Sequence, residues 1–159
     1  MEKFGEELRA SSKWLKIAGG EKLEVLTAAA AISPEGAVLE MGTYCGFSSL
    51  HLALQSSCRH VVTMEADLGH ALIAEQIIAF AGMSHKVEII TGHTEDMLPW
   101  LLQRWEGPEI SLVFLDQRGS RYHTDLQLLK CSGRLMDAAV IVADNVLKPG
   151  TPRFLWSLT

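Results

Sequence analysis

Between Ala37 and Asn145 the chain alternates short runs of apolar, strand-forming residues with longer stretches in which apolar residues recur every three to four positions. That alternation predicts a parallel sheet whose strands are joined by helices. Five strand-like runs stand out: AVLEMG from Ala37, HVVTMEA from His60, KVEIITG from Lys86, ISLVFLD from Ile110 and AAVIVADN from Ala138. Each is nearly continuous in Val, Ile, Leu and Ala, the pattern of strands buried on both faces.

Of the connecting segments, one places Ala71, Ala74, Ile78 and Ala81 on a single helical face ahead of a stop at Gly82. Another forms an apolar stripe of Leu98, Leu101, Leu102 and Trp105. Both stripes read as core. Glu21 to Ile32 is an Ala-rich helix ended by Ser33-Pro34, and residues 1–20 form a weaker helical segment closing in Gly19-Gly20. No linker, repeat or low-complexity tract interrupts the pattern, so residues 1–159 are expected to form one α/β domain with helices on both faces of the sheet.

Composition narrows what such a domain could do. With 48% hydrophobic and 21% charged residues in a chain of 159, a substantial core is available. The formal charge of -5 disfavours a nucleic-acid partner and leaves a small molecule as the better fit. The N-terminal MEKFGEEL is charged, and no apolar run reaches bilayer length, so the expectation is no membrane partner and a cytoplasmic location. Cys45, Cys58 and Cys131 are odd in number and lack metal-site spacing, which suits reduced, packed thiols.

Candidate chemistry gathers at the carboxyl ends of the strands, where open α/β sheets bind ligands. After the first run, Gly42-Thr43-Tyr44-Cys45-Gly46 reads as a tight turn leading into a helix near Phe47, with glycines that would let a ligand approach the backbone. The bulky Tyr44 stands where a pyrophosphate-binding turn keeps a middle glycine, so a dinucleotide would be crowded and an adenosyl amino acid would not. Glu65 closes the second run, twenty-three residues after Gly42, where Rossmann-like folds hold a carboxylate for ribose hydroxyls. Asp116 ends the fourth run and Asp144-Asn145 the fifth, giving two carboxylates and an amide carbonyl, the hard oxygen set that suits Mg²⁺ if those ends are neighbours.

The segments VLEMGTYCGFSSL, VVTMEAD, FAGMSHKVEIITGHTEDMLPWL, VFLDQRGSRY and VADNVLKPGTPRFL resemble catechol O-methyltransferases, from about Trp14 to Leu155 and almost without gaps. The resemblance implies a Rossmann-like methyltransferase fold with five parallel strands in the order 3-2-1-4-5, and S-adenosylmethionine and Mg²⁺ as cofactors. It implies that Gly42, Tyr44 and Ser48 surround the methionine portion of the cofactor, Glu65 the ribose, and Thr94 with Glu95 the adenine. Glu40, Gly46, Ala66, Asp116 and Arg118 complete the implied cofactor set. Asp116, Asp144 and Asn145 fall on the implied metal ligands. Trp14, Lys16, Asn145 and Pro149 fall on the side of a catechol-like substrate.

The pattern breaks twice. After the fourth strand the family carries an aromatic residue over the adenine and then a lysine acting as general base, where this chain has Arg118 and Gly119. Arg118 can stack on adenine but cannot take a proton near neutral pH, and Gly119 has no side chain. His123 is the nearest titratable residue, at the start of an expected helix, where a surface role is favoured. The family also continues beyond the equivalent of Thr159 with two further strands and an acidic substrate contact. Either these 159 residues are an incomplete piece of a longer methyltransferase domain, or they form a trimmed relative whose open fifth strand is covered by a partner, with self-association there as the expected form.

Two functions follow: methyl transfer from S-adenosylmethionine to a hydroxyl of a catechol-like diol held by Mg²⁺, with activity impaired at Gly119, or cofactor binding without turnover as an assembly module. Nicotinamide chemistry is disfavoured by Tyr44.

Overall fold

The computed structural model describes residues 18–55 and 57–159. Five strands, β1 (Gly36–Met41), β2 (Cys58–Glu65), β3 (Val87–Thr91), β4 (Ile110–Leu115) and β5 (Leu135–Ala143), form one sheet in the order β3-β2-β1-β4-β5. All four pairings are parallel. The helices are α1 (Glu21–Ile32), α2 (Phe47–Ala53), α3 (Leu68–Phe80), α4 (Thr94–Gln103), α5 (Tyr122–Cys131) and α6 (Pro152–Trp156).

Helix boundaries follow local chemistry. α1 stops at Ser33, which precedes Pro34 and is extended at ψ 146°, while its hydroxyl donates to the Ala30 carbonyl. α3 begins on Asp67, whose side chain accepts from the His70 N–H, an N-cap typically worth about 1 kcal/mol. It ends before Gly82, which sits in the left-handed region at φ 71°.

The sheet divides the core in two because alternate side chains point to opposite faces. On one face, Leu39, Met41, Val113 and Leu115 pack with Leu98, Leu101, Leu102, Trp105, Leu126, Leu129 and Phe154 from α4, α5, α6 and the segment after α4. On the other, Val38, Leu112 and Phe114 pack with Leu26, Ala30, Leu52, Ala74 and Ile78 from α1, α2 and α3. Leu39 and Leu112 are fully buried, so truncating either to Ala is expected to cost about 2–5 kcal/mol.

Two expectations are corrected by the structure. β1 and β4 are buried at all six positions, but β5 has no fully buried residue. Like β3, which has two exposed positions, it is an edge strand; it starts at Leu135 rather than Ala138, and among the described residues has no strand on its outer side. Ala81 is exposed: α3 ends at Phe80, and Ala81 is its C-cap rather than part of the buried face.

Candidate functional site

The strand order reverses between β1 and β4, and such a switch point opens a crevice at the carboxyl ends. Backbone bonds carry the register one residue past the strands. The Asp116 N–H donates to the Met41 carbonyl and the Asp144 N–H to the Leu115 carbonyl, both at 2.9 Å. These bonds set the backbones of Asp116 and Asp144 level with each other, at the neighbouring ends of β4 and β5.

The turn after β1 is shaped by packing within the protein. Gly42 has φ 105°, and a Cβ there would lie 2.7 Å from the Asp116 carbonyl oxygen. At Gly46 a Cβ would lie 3.3 Å from Ala74 Cβ and Ile78 Cδ1, so this glycine lets α3 pack against the turn. Protein atoms thus already lie along the Cβ direction of both glycines. Tyr44 adopts φ 49°, which turns its N–H onto Glu65 Oε2 at 2.7 Å. The Asp67 N–H donates to the other oxygen, Oε1, at 2.9 Å. The Glu65 carboxylate is thus clamped between the ends of β1 and β2, with the His70 ring edge-on to Tyr44 at 4.6 Å.

Beneath this turn lies a second carboxylate. Glu40 is fully buried on the Val38 face of β1, where it accepts from the hydroxyls of Ser49 and Thr63. Burial pushes its carboxyl above the ordinary range, while the hydroxyls of Ser48, Ser49 and Thr63 oppose that rise. Its Oε1 has no partner among the described residues. A buried, unpaired acceptor at the floor of a turn suits a ligand that brings a cationic donor, because leaving it unmatched costs on the order of 1–3 kcal/mol. Ser48 is buried at the start of α2, and Ala66 is exposed just past β2.

At the far end, Thr94 and Glu95 open α4, and Arg118 is exposed after β4. Glu95 faces Arg121 at 3.8 Å, and Arg121 donates to Asp125 at 3.1 Å. Gln117 holds the other Asp125 oxygen at 2.9 Å. Glu95 is therefore tied to a network that reaches the start of α5, a constraint its sequence position did not indicate.

The hard-oxygen set sits on the β4 and β5 ends. Asp144 Oδ1 accepts from both the backbone and the side-chain nitrogen of Asn145, which takes the left-handed conformation at φ 57°. Asp144 Oδ2 accepts from Lys22 Nζ at 2.6 Å. Burial, then the neighbouring Asp144 and Glu40 charges, push the Asp116 carboxyl up to about 7, with Lys22 opposing. The Asp144 charge beside the buried Asp116 carboxyl leaves the pair short of positive charge, which a divalent cation would supply. Among the described residues no group of three or more His, Cys, Asp or Glu side chains converges to hold a metal. The fit therefore rests on two carboxylates and the Asn145 amide. Tyr122 ties the site together, its hydroxyl donating to the carbonyls of Gln117 and Asp144 at 3.2 Å each.

Gly119 begins a short turn, Gly119–Arg121, and a Cβ there would lie 2.4 Å from Thr151 Cγ2. His123 lies in the first turn of α5, as expected. Pro149 is exposed in the segment between β5 and α6. Trp14 and Lys16 lie outside the described residues. Sequence reasoning missed Lys22, His70 and Tyr122. Only Tyr122 carried a usable signal, as an aromatic residue shortly after a strand end with a hydroxyl that must find a partner when buried.

Residues 10–152 match the model of a family described as O-methyltransferase, and the chain belongs to that family. It is 35% identical over 147 residues to catechol O-methyltransferase from Mus musculus, covering 92% of this chain and 56% of the relative. It is 44% identical over 121 residues to the transmembrane O-methyltransferase of Homo sapiens, covering 74% of this chain and 41% of the relative. The chain thus spans about half the length of these curated relatives. Among solved structures, the O-methyltransferase TomG from Streptomyces achromogenes, in complex with SAM, superposes with a TM-score of 0.80 at 25% identity, covering 99% of this chain and 76% of that one. No helix among the described residues is long and apolar enough to cross a membrane.

Proposed function

We propose that the chain is the cofactor-binding and catalytic core of an S-adenosylmethionine-dependent O-methyltransferase that acts on a catechol-like diol in the presence of Mg²⁺. The observation that carries this reading is the placement of Asp116 and Asp144 on adjacent strand ends, in a fold whose neighbouring strand ends hold Glu40 and Glu65 under the Gly42–Gly46 turn. Bound S-adenosylmethionine supplies a methyl group on an electrophilic sulfonium, and Mg²⁺ holds a diol and acidifies its hydroxyl.

The chain's own residues do the positioning. Glu65, already fixed by two backbone N–H groups, offers its remaining lone pairs to the ribose hydroxyls. Glu40 Oε1 is the acceptor available to the ammonium of the cofactor's methionine portion, beside Tyr44 and Ser48. Thr94, Glu95 and Arg118 border the adenine. Asp116, Asp144 and Asn145 hold the ion, with Pro149 and, outside the described residues, Trp14 and Lys16 on the substrate side.

Gly119 offers no base, so the hydroxyl proton leaves to solvent and turnover is slow. General-base assistance is typically worth about 10²–10⁴-fold. The same glycine favours a second reading, a cofactor-binding assembly module without turnover. Methyl transfer to catechol, assayed with Mg²⁺ in wild type and in Gly119→Lys/Thr151→Ser, separates the two: wild-type turnover supports the enzyme. Turnover by the double variant alone supports the module. The buried Cys45 and Cys58 and the exposed Cys131 are all unpaired, which favours a reducing compartment such as the cytoplasm.

A further inference from the structure

Lys22 is separated from Asp144 by 122 residues in sequence, yet its Nζ lies 2.6 Å from Asp144 Oδ2. It stands in the first turn of α1, which packs over the β5 side of the sheet. A lysine gains nothing from that location in the helix, because the amino end of a helix carries partial positive charge and favours anions. What it gains is the carboxylate pair.

We propose that Lys22 is a tethered counter-cation that neutralises the Asp116–Asp144 pair in the metal-free protein and withdraws when a divalent ion binds, so that metal binding is an exchange of cations. The inference rests on the metal-site reading above. The geometry supports it in two ways. Asp144 is mostly buried, with its side chain 16% exposed, and one of its oxygens is already committed to the Asn145 nitrogens. The oxygen left for an ion is the one that Lys22 occupies. An ammonium at 2.6 Å and a divalent ion on the same oxygen would repel strongly in a partly desolvated site.

Withdrawal is easy because the Lys22 side chain is 52% exposed on a flexible four-carbon stem, and its ammonium can return to water with little loss of solvation. An arginine, forking onto the carboxylate through two N–H groups, would leave less readily. The protein thus keeps the pair charge-balanced without metal and sets a threshold that the ion must exceed.

The test is a Mn²⁺ titration of the full chain, following the electron paramagnetic resonance signal of free Mn²⁺, for wild type, Lys22→Met and Lys22→Arg. Lys22→Met keeps the stem and removes the charge. It is expected to bind Mn²⁺ about tenfold more tightly than wild type, and to show a lower melting temperature without metal and a larger rise on adding it. Lys22→Arg is expected to bind no more tightly than wild type. Equal or weaker binding by Lys22→Met overturns the inference while leaving the metal site standing, as does a gain by Lys22→Arg matching that of Lys22→Met. Absence of Mn²⁺ binding in folded wild type and folded Lys22→Met overturns the metal-site reading, and this inference with it.

Discussion

Gly119 and Thr151 pack so closely that any side chain on the glycine would overlap the threonine methyl, with an added Cβ 2.4 Å from Thr151 Cγ2. Thr151 is itself buried and β-branched, so its methyl has little room to move. The position that bears a lysine in the resembling family is here filled from the other side by the segment entering α6. Gly119→Lys alone is therefore expected to lose about 1–3 kcal/mol, the usual cost of overpacking. Adding Thr151→Ser, which deletes the obstructing methyl, should recover most of that loss. Urea unfolding of the two variants checks this, and equal stability of Gly119→Lys and wild type would contradict it.

Gly42 has the tighter surroundings of two left-handed glycines. A Cβ at Gly42 meets the Asp116 backbone at 2.7 Å, whereas one at Gly82 meets nothing within 4 Å. Gly82→Ala carries only the conformational penalty of about 1–2 kcal/mol. Gly42→Ala adds a backbone clash and should cost at least twice as much, with the ends of β1 and β4 forced apart. Denaturation midpoints of the two variants give the comparison.

Burial pushes the Asp125 carboxyl above its ordinary range, against the pull of Arg121 and Gln117. The folded state then holds the proton more tightly than the unfolded chain, whose pKa is about 3.9. The stability this group contributes is complete below that pH and is lost as pH rises toward the folded value. Asp125→Asn removes the dependence. Measured by urea melts from pH 4 upward, wild-type stability should fall relative to the variant as pH rises, and a relative gain would show that the ion pair with Arg121 outweighs burial.

The outer edge of β5 has no strand partner among the described residues, and none of its nine residues is fully buried. An open, apolar edge of that length invites pairing. We propose self-association there, seen as a concentration-dependent shift toward dimer in sedimentation velocity. A monomer at every concentration would remove the proposal.

How much of this was readable in the sequence depends on what each residue must satisfy locally. β1 and β4 announced themselves because strands buried on both faces need unbroken apolar runs, and Glu65, Asp116 and Asp144 because a strand end fixes where its next residue emerges. β5 carries the same kind of run, yet burial depends on what covers it, and an apolar pattern does not say. Ala81 kept the helical spacing one residue past the point where the helix ends. Lys22 looked like any surface lysine, since its partner lies across the fold. The turn glycines were legible as glycines, but their cause, contact with Asp116 and with α3, exists only once the strands are side by side.

Within the proposed cofactor site, Glu65 is the residue held by two backbone N–H groups. Isothermal titration of wild type and Glu65→Gln with S-adenosylhomocysteine tests that site directly. One site per chain is expected in wild type and at least a tenfold weaker one in the variant, a loss of about 1.4 kcal/mol. Folded wild-type protein that takes up no S-adenosylhomocysteine, or a Glu65→Gln variant that binds it as tightly as wild type, would contradict it.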